Sequence, residues 1–196
     1  MFLSNFMENG FLNAMRGISF AAPSHVFCRL FLSSPGETGT EGVEISYDGY
    51  TGMEIAFSPP AVEGSGIGVR NTEEVTYAQS PVDAGTVRFI GIFDSAAPGS
   101  GNMYLYGQLT EELPIMAGES PVLLINEILF FSIGDLSNAY KTHLFNITRG
   151  ISLPGITPHY SLWNGNPQSG GNELAGENYE RVEMVFSAPA AEAGGM

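Results

Sequence analysis

One eighteen-residue segment occurs twice in this chain, and this repeat constrains the fold more than any other feature of the sequence. Residues 3–20 read LSNFMENGFLNAMRGISF, and residues 136–153 read LSNAYKTHLFNITRGISL. Eight of the eighteen aligned positions are identical, whereas unrelated segments would share roughly one. The constant offset of 133 residues therefore indicates a module followed by a second copy of itself.

The second copy is shorter than the first. The aligned segments that follow the repeat are Leu30-Phe31 with Leu162-Trp163 and Phe57-Ser58 with Phe186-Ser187. Residues 69–131 of the first copy have no counterpart. We therefore expect two domains: a complete module over residues 1–134, and a partial repeat over residues 135–196 that keeps one helix and two or three strands.

The spacing of apolar segments predicts a mainly β protein. About seven short strands separated by turn-forming residues are typical of a β-sandwich or barrel. We therefore expect a β-sandwich-like module with an N-terminal helix, followed by a half-length repeat of the same module. The predicted strands are His25–Ser33, Gly52–Ser58, Glu74–Gln79, Thr86–Asp94, Met103–Leu109 and Leu123–Ile133 in the first copy, and Pro158–Trp163 and Arg181–Phe186 in the second.

The repeated segment predicts a helix at the start of each copy. In the first copy, apolar residues recur at helical spacing from about residue 6 to residue 15. Asn5 and Glu8 resemble a capping box, and Gly17 lies where a helix often ends in a left-handed residue. The second helix is expected over residues 137–148.

Two equivalent arginines follow these helices. Arginine is scarce in the chain, yet Arg16 and Arg149 occupy the same position in the two copies. We expect each one to close its helix by bonding C-terminal carbonyl groups or a nearby carboxylate. The alternative interpretation is a charge that is merely solvated.

The net charge of −14 excludes several classes of function. Only 7 basic residues stand against 21 acidic ones, which argues against binding to nucleic acid or to an anionic membrane surface. The longest apolar run, residues 122–133, is too short and too polar for a membrane-spanning helix. We therefore expect neither a nucleic-acid partner nor membrane insertion.

The sequence shows no pattern of catalytic, cofactor-binding or metal-binding residues. Cys28 is the only cysteine, and the three histidines lack metal-ligand spacing. A nucleophile motif of the form G-x-S-x-G is missing. The segment GSGIGVR at residues 64–70 lacks the Lys-Ser/Thr of a phosphate loop, and we interpret it as a flexible loop. We expect no enzyme activity, no metal and no cofactor.

Several motifs together resemble the tail-fibre proteins of tailed bacteriophages. They are LSNFMENGFLNAMRG, AAPSHVFCRLFLSSPG, GTEG with GYTGMEIAFSPP, GTVRFIGIFDS and GNMYLYGQL. The resemblance covers residues 3–131 in full and residues 136–189 in part. It implies a structural virion protein without catalytic residues, assembled in the bacterial host cytoplasm, whose partners are other virion proteins and copies of itself.

The sequence is also compatible with three alternative functions. A capsid-decorating protein or a head fibre would also fit an acidic β-rich domain. A host-attachment module that binds a surface glycan is a third hypothesis, and it requires exposed aromatic side chains. An enzyme is the least supported of the four.

The partial repeat is expected to need a partner. A helix with two or three strands buries little apolar area and leaves open strand edges. We therefore expect the second copy to pack against the first module, a neighbouring subunit or another virion protein. The predicted interface residues are Leu144, Phe145, Leu162, Trp163, Val185 and Phe186.

Overall fold

The structure, a computed structural model, describes residues 2–132, 137–167, 170–176 and 179–189. It is mainly β with an N-terminal helix, as the sequence predicts. The helices are α1 (Asn5–Ala14) and α2 (Asn138–Ile147). The strands are β1 (Phe2–Leu3), β2 (Phe27–Phe31), β3 (Met53–Glu54), β4 (Ala61–Glu63), β5 (Gly66–Arg70), β6 (Val75–Thr76), β7 (Gly85–Phe93), β8 (Met103–Ile115), β9 (Val122–Leu123), β10 (Leu129–Ser132), β11 (His159–Tyr160) and β12 (Val182–Glu183).

The largest sheet is antiparallel, with five strands in the order β1-β8-β7-β2-β3. Its centre is the hairpin of β7 and β8, in which Ile90 faces Gly107. Asp94 closes the connecting turn because its Oδ1 accepts a hydrogen bond from Asn102 N at 2.7 Å. The other edge of β7 pairs with β2, so β7 has a hydrogen-bonded neighbour on both sides.

A second sheet contributes to the same core. Its three strands have the order β10-β5-β4. Ile67 and Val69 of β5 and Phe130 of β10 lie in one apolar cluster with Leu30 of β2 and Ile90 of β7. The two sheets therefore bury apolar side chains in a common interior. Two further pairs, β6 with β9 and β11 with β12, form small separate sheets.

The predicted flexible loop over residues 64–70 is wrong. Gly66–Arg70 form strand β5, which is hydrogen-bonded to β4 and β10. Glycine at position 68 permits this pairing, because a Cβ there would lie only 2.8 Å from Phe130 O. The glycines thus reflect close strand packing rather than flexibility.

The single strand predicted over residues 123–133 is two strands within residues 2–132. β9 and β10 are separated by a turn in which Asn126 adopts a φ of 64°. Asparagine tolerates this left-handed conformation better than most residues. The two strands join different sheets, since β9 pairs with β6 and β10 pairs with β5.

Helix α1 begins one residue earlier than predicted and has a different cap. Ser4 is the N-cap, and its Oγ accepts a hydrogen bond from Met7 N at 3.1 Å. The predicted capping box of Asn5 and Glu8 is wrong, because Asn5 is already helical. Gly17 has a φ of 81°, as expected for a residue that ends a helix.

Helix α2 has the same bounds as α1 after a shift of 133 residues. Ser137 Oγ accepts from Tyr140 N at 3.3 Å, and Gly150 has a φ of 77°. α2 packs against β5 of the first copy. Leu144 and Phe145 lie in the same apolar cluster as the two large sheets. This helix therefore shares one interior with the first copy.

Candidate interaction surface

The two copies of the repeated segment contact each other through a reciprocal backbone pairing. Phe20 N donates to Leu153 O at 2.8 Å, and Leu153 N donates to Phe20 O at 2.9 Å. These residues are 133 positions apart, so equivalent residues exchange both bonds. Such an exchange is typical of a twofold, isologous contact between subunits, and here it occurs within one chain.

The serine of the repeated Gly-Ile-Ser element extends this pairing. Ser19 Oγ accepts a hydrogen bond from Gly155 N at 3.2 Å, and Ser152 Oγ accepts one from Ala22 N at 2.9 Å. Donors and acceptors are again related by the offset of 133 residues. The repeated serines therefore join the two copies, a role that the sequence alone did not indicate.

The repeated arginines bond side chains rather than the predicted groups. Arg16 Nη1 donates to Asn13 Oδ1 at 2.7 Å, and Arg149 Nη1 donates to Asn146 Oδ1 at 2.8 Å. The prediction of a helix-terminal carbonyl or a carboxylate is therefore wrong about the partner. Arg149 Nε also donates to Phe57 O at 3.3 Å, which ties the second copy to the first.

Strands β11 and β12 pair in the register of β2 and β3. His159 faces Glu183 in the second copy, and Phe27 faces Glu54 in the first. The sequence alignment relates these two pairs, with offsets of 132 and 129 residues. The second copy thus has the strand pairing that its aligned segments have in the first.

A buried polar cluster supports β2 in the first copy. Tyr50 Oη accepts a hydrogen bond from Leu30 N at 2.8 Å and donates to Glu44 Oε1 at 3.3 Å. Arg29 Nε donates to Glu44 Oε1 at 2.7 Å, and the guanidinium lies 3.9 Å from the ring centroid of Phe93. Burial raises the pKa of the Tyr50 phenol above its usual range.

The second copy has the same cluster in a more exposed setting. Tyr179 Oη accepts from Leu162 N at 2.7 Å and donates to Glu173 Oε1 at 3.1 Å. Arg181 Nε donates to the same Glu173 oxygen at 2.8 Å. This hydrogen bond holds the pKa of the Glu173 carboxyl below its usual value.

The arginine of this cluster has exchanged strands between the copies. When each register is extended by one residue, Arg29 lies opposite Gly52 in the first copy and Ser161 lies opposite Arg181 in the second. A Cβ at Gly52 would lie 2.8 Å from Arg29 Cγ. Each copy therefore has one long side chain and one small residue at this cross-strand pair.

The two copies differ in what lies beyond β2 and β11. β7 pairs with the second edge of β2, whereas no described strand pairs with the second edge of β11. The exposed fractions of aligned side chains are 0% for Leu30 and 42% for Leu162, 1% for Phe31 and 40% for Trp163, and 7% for Phe57 and 38% for Phe186. We call the exposed set of Leu162, Trp163, Val185 and Phe186 the half-module surface.

The sequence matches a family described as podophage GP4 fiber I protein gp80 over residues 2–130. The chain belongs to this family. No curated protein matches the chain. The fibre-family match ends near the end of the first copy, so the second copy and its half-module surface lie outside the matched residues.

The structure separates the predicted interface residues of this fibre-family protein into two groups. Leu144 and Phe145 are buried in the common core, where they contact the first copy rather than solvent. The other four residues form the exposed half-module surface, and Val185 is 90% exposed. Sequence reasoning therefore selected residues that bind within the chain together with residues that stay accessible.

The described residues contain neither a cluster of metal ligands nor an exposed cysteine. No group of three or more His, Cys, Asp or Glu residues among them could hold a metal ion. Burial raises the pKa of the Cys28 thiol to about 12, although a hydrogen bond with Tyr77 opposes the shift, so the thiolate is disfavoured at neutral pH. Neither described helix is long and apolar enough to cross a membrane.

Proposed function

We propose that this protein is a non-enzymatic structural component of a podophage tail fibre that acts through contacts with copies of itself and with other virion proteins. The family match supports the fibre role. The observation that supports the contact role is the half-module surface, because three of its four aligned positions in the first copy, Leu30, Phe31 and Phe57, are buried. Apolar side chains that one copy buries and the other exposes favour an intermolecular partner.

The second copy, in this proposal, is a half-module that remains attached to the first copy by α2 and by the reciprocal pairing of Phe20 with Leu153. These contacts hold the segment in place. They leave β11, β12 and their flanking residues available to a neighbour. Assembly then takes place in the host cytoplasm, and the protein is carried in the virion.

The test is incorporation into phage particles. We expect the double variant Trp163→Ser/Phe186→Ser to fold, because both residues are partly exposed, and to be depleted in purified particles. Val62→Ser is the matched control, since Val62 is an exposed apolar residue on β4. Equal incorporation of both variants, measured by quantitative mass spectrometry, would contradict the proposal.

The same particles distinguish the alternative virion roles. A tail-fibre component has a copy number fixed by the tail, whereas a capsid-decorating protein or head fibre has a copy number fixed by the capsid. A host-attachment module would bind surface glycans, which a glycan array measures directly. Tyr160 and Trp163 are both exposed, but they lie three positions apart along the strand. Because side chains alternate between the two faces of a strand, these two rings project to opposite faces and do not form one stacking platform.

A further inference from the structure

No strand among the described residues pairs with the second edge of β11, and the backbone positions on that edge have a defined register. Met184 N donates to Pro158 O, Leu162 N donates to Tyr179 Oη, and Asn164 N donates to Asn172 O. The backbone groups of these even-numbered positions therefore point toward the edge of β11 that β12, Tyr179 and Asn172 occupy. Because direction alternates along a strand, residues 159, 161 and 163 direct their backbone groups toward the open edge.

The first copy shows what kind of element pairs with the equivalent edge of β2. There β7 lies antiparallel to β2, with Arg29 opposite Gly91 and Phe31 opposite Phe89. The cover is thus an antiparallel strand that also buries apolar side chains. β7 itself cannot serve β11, since both of its edges are already paired.

Charge does not protect the open edge. Proteins commonly guard edge strands with charged residues, especially lysine. Residues 159–163 read HYSLW and contain no Asp, Glu, Lys or Arg. The nearby Glu173 is paired with Arg181. The repulsion expected between two chains of net charge −14 is therefore not concentrated at this strand.

We infer that β11 pairs antiparallel with β11 of a second copy of this chain, about a twofold axis at Ser161. The inference rests on the proposed structural function and names the partner of the half-module surface. In this register Ser161 faces its own equivalent, His159 faces Trp163, and Tyr160 faces Leu162. One face of the two-stranded sheet then carries the pair of His159 and Trp163, and the other face carries the pair of Tyr160 and Leu162. Cross-strand pairs of aromatic and apolar side chains stabilise antiparallel sheets.

Disulfide trapping of the full chain tests this register. In the proposed pair the two Cα atoms of residue 161 lie about 5.5 Å apart, within the range that a disulfide can span. Ser161→Cys is therefore expected to form disulfide-linked dimers under mild oxidation, in purified protein and in particles. Ser187→Cys, exposed on the same half-module but off the edge, is the matched control, and the native Cys28 is buried.

Backbone substitution gives a second readout. Ser161→Pro removes an edge-directed N–H, whereas Ser161→Ala keeps it. We expect sedimentation to show a concentration-dependent dimer for the wild type and for Ser161→Ala, with dimer affinity at least tenfold lower for Ser161→Pro. Cross-linking at position 161 no greater than at position 187, with equal sedimentation of all three proteins, would overturn the inference.

Failure of the self-pairing inference can be distinguished from failure of the proposed function. If the Trp163→Ser/Phe186→Ser variant is depleted from particles but Ser161→Cys never cross-links to itself, the half-module surface binds a different virion protein and the self-pairing inference is wrong. If particles take up that variant normally, the structural role of the surface fails independently of the register test.

Discussion

Removing the buried arginine of the first copy should destabilise the protein strongly. Arg29 has a side chain that is 2% exposed, and its guanidinium forms a bidentate pair with Glu44. Arg29 Nη1 also donates to Ser100 O at 2.8 Å. In Arg29→Met the Glu44 carboxylate keeps hydrogen bonds from Tyr50 Oη and Gly99 N but loses its counter-charge.

The expected loss follows from the cost of an uncompensated charge. Breaking a buried ion pair by removing one partner costs about 3–5 kcal/mol, and the two remaining donors to Glu44 favour the lower end of that range. A loss of about 3 kcal/mol in a chain of this size lowers the melting temperature by roughly 6–12 °C. The cation–π contact of Arg29 with Phe93 adds to this loss.

The second copy provides the control. Arg181 makes the equivalent bidentate pair with Glu173, but its side chain is 61% exposed, and exposed ion pairs contribute little to stability. Differential scanning fluorimetry should therefore show a large decrease for Arg29→Met and almost none for Arg181→Met. Arg29→Met combined with Glu44→Leu should recover most of the loss. Equal melting temperatures of the two single variants would refute the reasoning.

Three further outcomes are expected. Ser4→Ala and Ser137→Ala should each lower stability by about 1 kcal/mol, seen in urea unfolding, since each removes a helix N-cap acceptor; no change for Ser137→Ala would contradict the capping of α2. Leu144→Ala should cost about 2–5 kcal/mol because it leaves a cavity in the common core, whereas a merely docked helix would give a far smaller loss. The raised pKa of Cys28 contributes stability that is complete below the ordinary thiol value near 9 and is lost as the pH rises toward about 12. Chemical unfolding of Cys28→Ala should therefore show a weaker loss of stability over that pH range, and an unchanged slope would contradict the assignment.

The elements predicted best from sequence are those with strong local patterns. The central strand expected over residues 86–94 is observed at Gly85–Phe93, because apolar residues and flanking turn signals both mark it. The apolar face of α1 is also confirmed, with Met7, Phe11 and Ala14 buried. β5 was missed because its glycines indicate a loop locally, whereas the close approach of β10 that requires them depends on residues about sixty positions away.

The interface prediction was limited for the same reason, because the burial of a residue depends on segments far away in the sequence. Sequence comparison identified Leu144 and Leu162 alike as apolar residues that lack their usual partners. The structure buries Leu144 because α2 packs against β5, and it exposes Leu162 because β11 has no described neighbour on one edge. The hydrophobicity of the two leucines does not predict that one is buried and the other exposed. Their burial depends on how the second copy packs against the first.

Local and long-range interactions explain which parts of the second copy resemble the first. The cluster of Tyr179, Glu173 and Arg181 lies within nine residues of sequence, so it forms without the strands that the second copy lacks. Burial of Leu162 and Trp163 would require a strand like β7, which comes from outside the aligned segments. A shortened module therefore keeps its polar support and its strand register while its apolar side chains remain exposed. Among the described residues, β11 is therefore paired on one edge only, and an unpaired strand edge can accept an added strand.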